Sequence, residues 1–417
     1  MRPEDAERRI RSWLDDGPDR APDDLVGSVL AEVPVTRRRP RWAIAEFPSS
    51  GRRTVLVGVG IVILLGLAFG WAWLVRPVSP GSSTNQTAPL ERLPTTADFG
   101  NVAISDVIPA GPGLVAVGTI SIGGHDSVAF WSSPDGISWT RAPSDSVFLD
   151  STAGRLAQVG NQLVLDAFSC VPGGTYCSTS KLLFSVAGSP WHPATGINSD
   201  SSYEAVVAGG PGFVAAGTAQ DALDHATGVF ATSIDGLNWS EEPPTGVMAG
   251  ATVGGLADGP TGLVAVGQLG GRAAVWTSPD GLTWTQVGPA DAPTGGTVTD
   301  VAQAGSHWVA VGSRGGQAAA WTSNDGTSWQ PGTPGAGLNG TAVRRIEPIG
   351  SGFVALGESN PGNGAAWQSA DGISWTQLDT GDIFNNGAVS AVGAVDGRLV
   401  LFGVSASGQA IVAVSTP

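Results

Sequence analysis

The chain has 417 residues, with 61 Gly, 29 Pro and 15 Trp, and Lys181 is the single lysine among its 21 basic residues. That composition favours many short strands joined by tight turns over a helical bundle. The formal net charge of -15 is unevenly spread: residues 77–417 carry 9 basic against 26 acidic side chains, whereas residues 1–53 carry 11 Arg against 10 Asp and Glu. A C-terminal part this acidic repels phosphates and anionic membrane surfaces, so nucleic acid is excluded as a partner.

Residues 1–53 begin with "ERRIRSWLDDG" and "PDDLVGSVLAEVP", which place Ile10, Trp13 and Leu14, then Leu25, Val29, Leu30 and Val33, at helical spacing before Gly17 and Pro34. Two short helices bury little core, so this reads as a partly helical tail. Next comes "TVLVGVGIVILLGLAFGWAWLV", Thr54–Val75, 22 residues without a charge. At 1.5 Å per residue such a helix covers a hydrocarbon core of about 30 Å, and Trp71 and Trp73 suit its interface. The segment starts too deep and runs too long for a cleaved signal, and Arg52-Arg53 lack the rest of a twin-arginine motif. Arg37, Arg38, Arg39, Arg41, Arg52 and Arg53 precede the span and only Arg76 closely follows it. The positive-inside rule therefore predicts a cytoplasmic N-terminus and an extracytoplasmic C-terminal part. Residues 76–89, rich in Pro, Ser and Thr, read as a linker.

From residue 90 onward the chain repeats. "WSSPDGISW", "ATSIDGLNW", "WTSPDGLTW", "WTSNDGTSW" and "WQSADGISW" share Ser-x-Asp-Gly-x-x-Trp and end at Trp139, Trp239, Trp284, Trp329 and Trp375. "FSVAGSPW", ending at Trp191, is a copy without the Asp. Successive Trp positions lie 52, 48, 45, 45 and 46 residues apart, the period of a supersecondary unit. Upstream of each turn runs an apolar strand, such as "GLVAVGT" from Gly113 or "GFVALGE" from Gly352, and there are seven of these. Four strands per unit predict an all-β, seven-bladed β-propeller over residues 90–417. The seventh unit ends at "AIVAVSTP" without a fourth strand. "LERLPTTADF" supplies the match, because Leu90 and Phe99 keep the nine-residue separation of Trp139 and Phe148 and of Trp375 and Phe384. Lending that strand to the last blade would close the ring and hide its sheet edges.

The repeated turn resembles the Asp-box, or BNR repeat, of sialidase-like propellers, in which Ser-x-Asp-x-Gly-x-x-Trp links the third and fourth strands of a blade. Here Gly follows Asp directly, so the turn is one residue shorter. Asp135, Asp235, Asp280, Asp325 and Asp371 are expected to be structural, each accepting backbone hydrogen bonds within its turn, since five copies around a ring cannot share one active site. The resemblance also implies an alternative function, a sialidase-like glycoside hydrolase. That family uses an arginine triad and a Tyr-Glu nucleophile pair. This chain offers only Tyr176 and Tyr203, and Tyr203 and Glu204, as strand neighbours, would face opposite ways. A further alternative follows from layout: a short tail, one span and an outer domain resemble bacterial envelope regulators of the anti-sigma type, although the tail has no Cys or His for their zinc motif.

Other chemistry is sparse. His125, His192, His225 and His307 share no metal-ligand spacing, and there is no nucleophile elbow or phosphate loop, so no cofactor, metal or catalytic residue is assigned. Cys170 and Cys177 are the only cysteines; in an oxidising exterior they are expected to form a disulfide, with a two-Cys metal site as the alternative. Counting eight residues back from the apolar residue that begins each second strand (Leu114, Leu163, Phe213, Leu263, Trp308, Phe353 and Leu399) reaches Asp106, Arg155, Ala205, Gly255, Asp300, Arg345 and Ala391 on the innermost strands. Four charges at one height of a channel either pair with each other or anchor a ligand, with His125, Asp224, His225 and Arg314 at the rim. The reading is thus a membrane-anchored binding or scaffolding module of the bacterial cell envelope. Its partners would be the lipid bilayer, through residues 54–75, and an envelope glycan or protein.

Overall fold

The computed structural model describes residues 90–93, 99–170, 177–186, 188, 190–220, 225–241, 246–332, 337–359 and 362–416. The tail 1–53, the apolar segment 54–75 and the linker 76–89 lie outside the described residues. No helix among the described residues is long and apolar enough to cross a membrane.

Seven four-stranded antiparallel sheets follow one another along the chain, and the first strand of each packs beside the first strand of the next. These inner strands are Val102–Ala110, Ser151–Val159, Ser201–Gly209, Ala251–Gly259, Thr297–Ala304, Ala342–Ile349 and Ala388–Val395, and they define blades 1 to 7. The contact between the first and seventh closes the ring. Blade 7 takes its outer strand from the other end of the described chain: Leu90–Arg92 pairs antiparallel with Ala410–Ser415, Leu90 opposite Ser415 and Arg92 opposite Ala413. The closure expected from "LERLPTTADF" is therefore present. Phe99 is buried among Trp131, Trp139 and Phe402, as Phe148 and Phe384 are buried at the matching places of their blades.

Alternating apolar residues on both faces of each radial sheet bury the blades against their neighbours, giving seven clusters, one per interface. Trp131, Trp276, Trp321 and Trp367, from the third strands, are fully buried in them. Every inner strand also carries a β-bulge at the same point, as between Ile104 and Asp106 or Val343 and Arg345. A bulge sharpens the local twist and re-aims the next side chain, which is how equal sequence offsets become equal heights in the channel.

The five Ser-x-Asp-Gly turns join third to fourth strands. In blade 1, Asp135 Oδ1 accepts the backbone N–H groups of Ile137 at 2.9 Å and Ser138 at 2.7 Å, while Ser133 Oγ accepts that of Gly136 at 2.8 Å. The indole N–H of the closing Trp donates to the turn Gly carbonyl in all five copies, at 2.7–3.1 Å. Gly136 and its four counterparts have φ between +73° and +81°, a region that disfavours any Cβ. The Asp is thereby committed to its own turn.

Candidate functional site

The offset residues of the inner strands meet in the central channel. Asp106 and Asp300 each clip two blades together. Asp106 Oδ1 accepts the N–H of Val107 in its own blade and Oδ2 that of Leu156 in the next, both at 2.8 Å. Asp300 repeats this with Val301 at 3.0 Å and Ile346 at 3.1 Å. Each arginine then reaches across the channel rather than to the blade beside it. Arg155 of blade 2 bonds Asp300 of blade 5 at 2.8 Å, and Arg345 of blade 6 bonds Asp106 of blade 1. Glu347, which the count along one offset does not reach, sits between the two arginines, 3.0 Å from Arg155 and 2.6 Å from Arg345.

The electrostatics follow from burial and pairing. Burial opposes the charge on Arg155, but Asp300, Glu347 and Asp106 outweigh it and hold its pKa above the ordinary value. Burial pushes the Glu347 carboxyl upward; the two arginines pull it down and the two aspartates push it up again, leaving it raised. Two arginines against three carboxylates give the cluster a net negative charge when all are ionised. Toward the hairpins that join first and second strands, the channel widens into a cavity of about 420 Å³ lined by these residues with Val207, Asp258 and Gln303 among others.

The residues expected at a rim belong to the other mouth of the channel. Because strands alternate in direction, those hairpins share a face with the Ser-x-Asp-Gly turns, whereas the hairpins between second and third strands lie on the opposite face. His125, His225 and Arg314 are on that opposite side, at the ends of second strands or the starts of third strands. His125 Nδ1 pairs with Asp150 at 2.7 Å, and Arg314 borders a separate groove between blades 5 and 6 with Leu338 and Trp375. Asp224 lies outside the described residues.

Tyr203 is fully buried, and its hydroxyl donates to Glu241 at 2.6 Å. Burial first, and then Glu241, push its pKa upward, away from a ready nucleophile. Glu241 also accepts from Ser201 Oγ at 2.8 Å, tying the outer strand of blade 3 to the start of its inner strand. Asp166 carries no mark in the sequence, standing in no motif and at none of the channel offsets. It is fully buried on the second strand of blade 2, with Oδ1 on Ser180 Oγ at 3.1 Å and Oδ2 unpartnered, and burial raises its pKa well above the ordinary value. Cys170 is disulfide-bonded, and the chain's other cysteine, Cys177, is its register partner across the hairpin. Among the described residues no cluster of His, Cys, Asp and Glu has metal-holding geometry.

No family model matches the chain, and no curated protein matches it. Solved structures do. YCF48 bound to D1 peptide is 14% identical, with a TM-score of 0.50 over 80% of this chain and 98% of that one. The acylaminoacyl peptidase of Pyrococcus horikoshii is 10% identical, with a TM-score of 0.50 over 77% of this chain and 52% of that one. What is shared is the propeller fold. The chain spans about half the length of the peptidase. Trypanosoma rangeli sialidase also matches, 14% identical with a TM-score of 0.41 over 75% of this chain and 54% of that one. At such identities the likeness reaches no further than the fold.

Proposed function

We propose that this chain is a membrane-anchored, extracytoplasmic binding or scaffolding module whose propeller is kin to the Asp-box propellers. The observation that carries binding over catalysis is the state of the channel. Arg155, Arg345, Asp106, Asp300 and Glu347 are all engaged with one another or with the backbone, and Tyr203 is sealed in a blade interface. Most glycosidases need two free carboxyl groups flanking the sugar bond, and sialidases a Tyr nucleophile in place of one of them. Here the carboxylates neutralise arginines and clip blades. YCF48, solved with D1 peptide bound, illustrates that this fold can serve as a platform for a polypeptide ligand.

Anchoring is supported by the uncharged stretch 54–75, and orientation by the arginines that precede it. Alkaline phosphatase fused after Pro417 should be active in intact bacterial cells, and β-galactosidase at the same site inactive. The reverse pattern would overturn the topology. Purified chain should leave a panel of fluorogenic glycosides at the blank rate; turnover abolished by Glu347→Gln would replace the binding reading with the hydrolase.

A further inference from the structure

Among the described residues, one pair of neighbouring inner-strand N–H groups in the channel is gripped by no side chain. In blades 3 and 4 the hairpins after the inner strands are closed by Gly209 paired with Gly212 and Gly259 paired with Gly262. Hydrogen-bonded and non-hydrogen-bonded pairs alternate in an antiparallel ladder, so the residue three before each closing pair turns its N–H off the sheet edge. The residues at that position are Val107, Leu156, Val206, Leu256, Val301, Ile346 and Val392, one per blade, and their N–H groups ring the channel. Asp106 grips the first two, and Asp300 grips Val301 and Ile346. Among the described residues, Val206, Leu256 and Val392 have no partner at this N–H, and of these only Val206 and Leu256 lie in adjacent blades.

That pair stands to its two blades as Val107 and Leu156 stand to Asp106. The residue whose side chain would grip it is Ala205, and the next blade offers Gly255, where any Cβ would come within 2.8–2.9 Å of Asp300. The notch opens into the 420 Å³ cavity, which Ala205, Val206, Leu256 and Asp258 help to line. Charge narrows what it can take. Arg155 and Arg345 line this cavity against Asp106, Asp300, Glu347 and Asp258, and between them the two arginines bond Asp106, Asp300 and Glu347, which leaves Asp258 outside the pairing. A simple anion meets a net negative lining there, whereas a ligand bringing its own ammonium finds the Asp258 carboxylate for it.

We propose that the backbone N–H groups of Val206 and Leu256 bind the carboxylate of a small zwitterion of the α-amino-acid type. This rests on the reading of the propeller as a binding module and names its ligand class. The experiment uses the full chain, ¹⁵N-labelled at Val and Leu, titrated separately with glycine, acetate and methylammonium. Glycine should move the Val206 and Leu256 amides saturably, at roughly tenfold lower concentration than acetate, the worth of one charge-assisted contact. The Val107 and Leu156 amides, already gripped, should stay in place. Ala205→Asp fills the notch as Asp106 and Asp300 fill theirs and should abolish the response, as should the uncharged Ala205→Asn, which guards against a folding defect. Shifts that do not saturate, or that persist in both variants, overturn the notch, and glycine no tighter than acetate overturns the zwitterion. Glycoside turnover would instead sink the binding-module reading without touching these amides.

Discussion

Phe99→Ala tests whether the borrowed strand truly completes the ring. Phe99 is 3% exposed, its ring stacked 5.3 Å from that of Trp131, edge-on to Trp139 at 6.0 Å and tilted against Phe402 at 6.1 Å. Truncating such a ring in a packed core costs about 3–5 kcal/mol, of which the aromatic pairs are a part. The cost should not be local, because the contact joins blade 7 to blade 1, and losing it loosens Leu90–Arg92 from the edge of Ala410–Ser415. For a cooperative unit of about 330 residues the unfolding entropy at the midpoint is roughly 0.7 kcal/mol/K, so Tm should fall by about 4–7 °C. Phe148→Ala is the internal reference: Phe148 is 2% exposed and packs on Phe130 and Trp191 at the same place in its blade, away from the closure. Differential scanning calorimetry of the two variants should give falls of similar size. If Phe148→Ala melts early and Phe99→Ala melts with the parent, the ring does not depend on its borrowed strand and the reasoning fails.

Asp166 occupies a position filled by Val117, Val266, Val311, Leu356 and Phe402 in five sister blades. Asp166→Val should therefore stabilise the protein at neutral pH by about 1–3 kcal/mol, the cost of a buried polar group left unsatisfied. Because burial raises its folded pKa, stability contributed by protonated Asp166 falls as pH climbs from its ordinary 3.8 through the folded value, so the variant's advantage should widen with pH. A variant that melts lower than the parent at pH 7, or whose advantage is flat with pH, would contradict this. The turn aspartates have the opposite sign. Hydrogen bonds from Asn238, then Leu237 and Ser233, hold Asp235 below its ordinary 3.8 against a small burial effect, so its contribution is present above that value and lost as pH falls through the folded pKa. Asp235→Ala should lower stability at pH 7 by about 0.5–2 kcal/mol, as a lost cap does, and the gap in melting temperature should close in acid. An equal gap at pH 3 and pH 7 would count against the carboxylate as its source.

Much of this architecture is legible in the sequence because a propeller repeats its local solutions. The Trp period gives the blades, and the nine-residue step from Leu90 to Phe99 reveals the closing strand before any coordinate is known. The charged channel positions are legible for the same reason: a bulge at one register in all seven inner strands keeps equal offsets at equal heights. Glu347 escapes that count because its own offset is held elsewhere by Ile108, Ala157, Val207, Ala257, Ala302 and Gly393, so nothing around the ring marks it. The partners of Arg155 and Arg345 escape it too, since each reaches across the ring to a blade three or more units away along the chain. Strand alternation puts His125 and Arg314 on the face opposite the Ser-x-Asp-Gly turns; that the cavity opens on the turn side instead leaves no mark in the sequence. The notch at Val206 and Leu256 is illegible for a different reason. Its donors are main-chain groups on apolar residues, and the trace they leave in the sequence is negative, an Ala205 and a Gly255 where Asp106 and Asp300 stand in other blades. Small residues at that height leave the backbone open to the channel, and the two aspartates show within the same molecule which chemical group such an opening accepts.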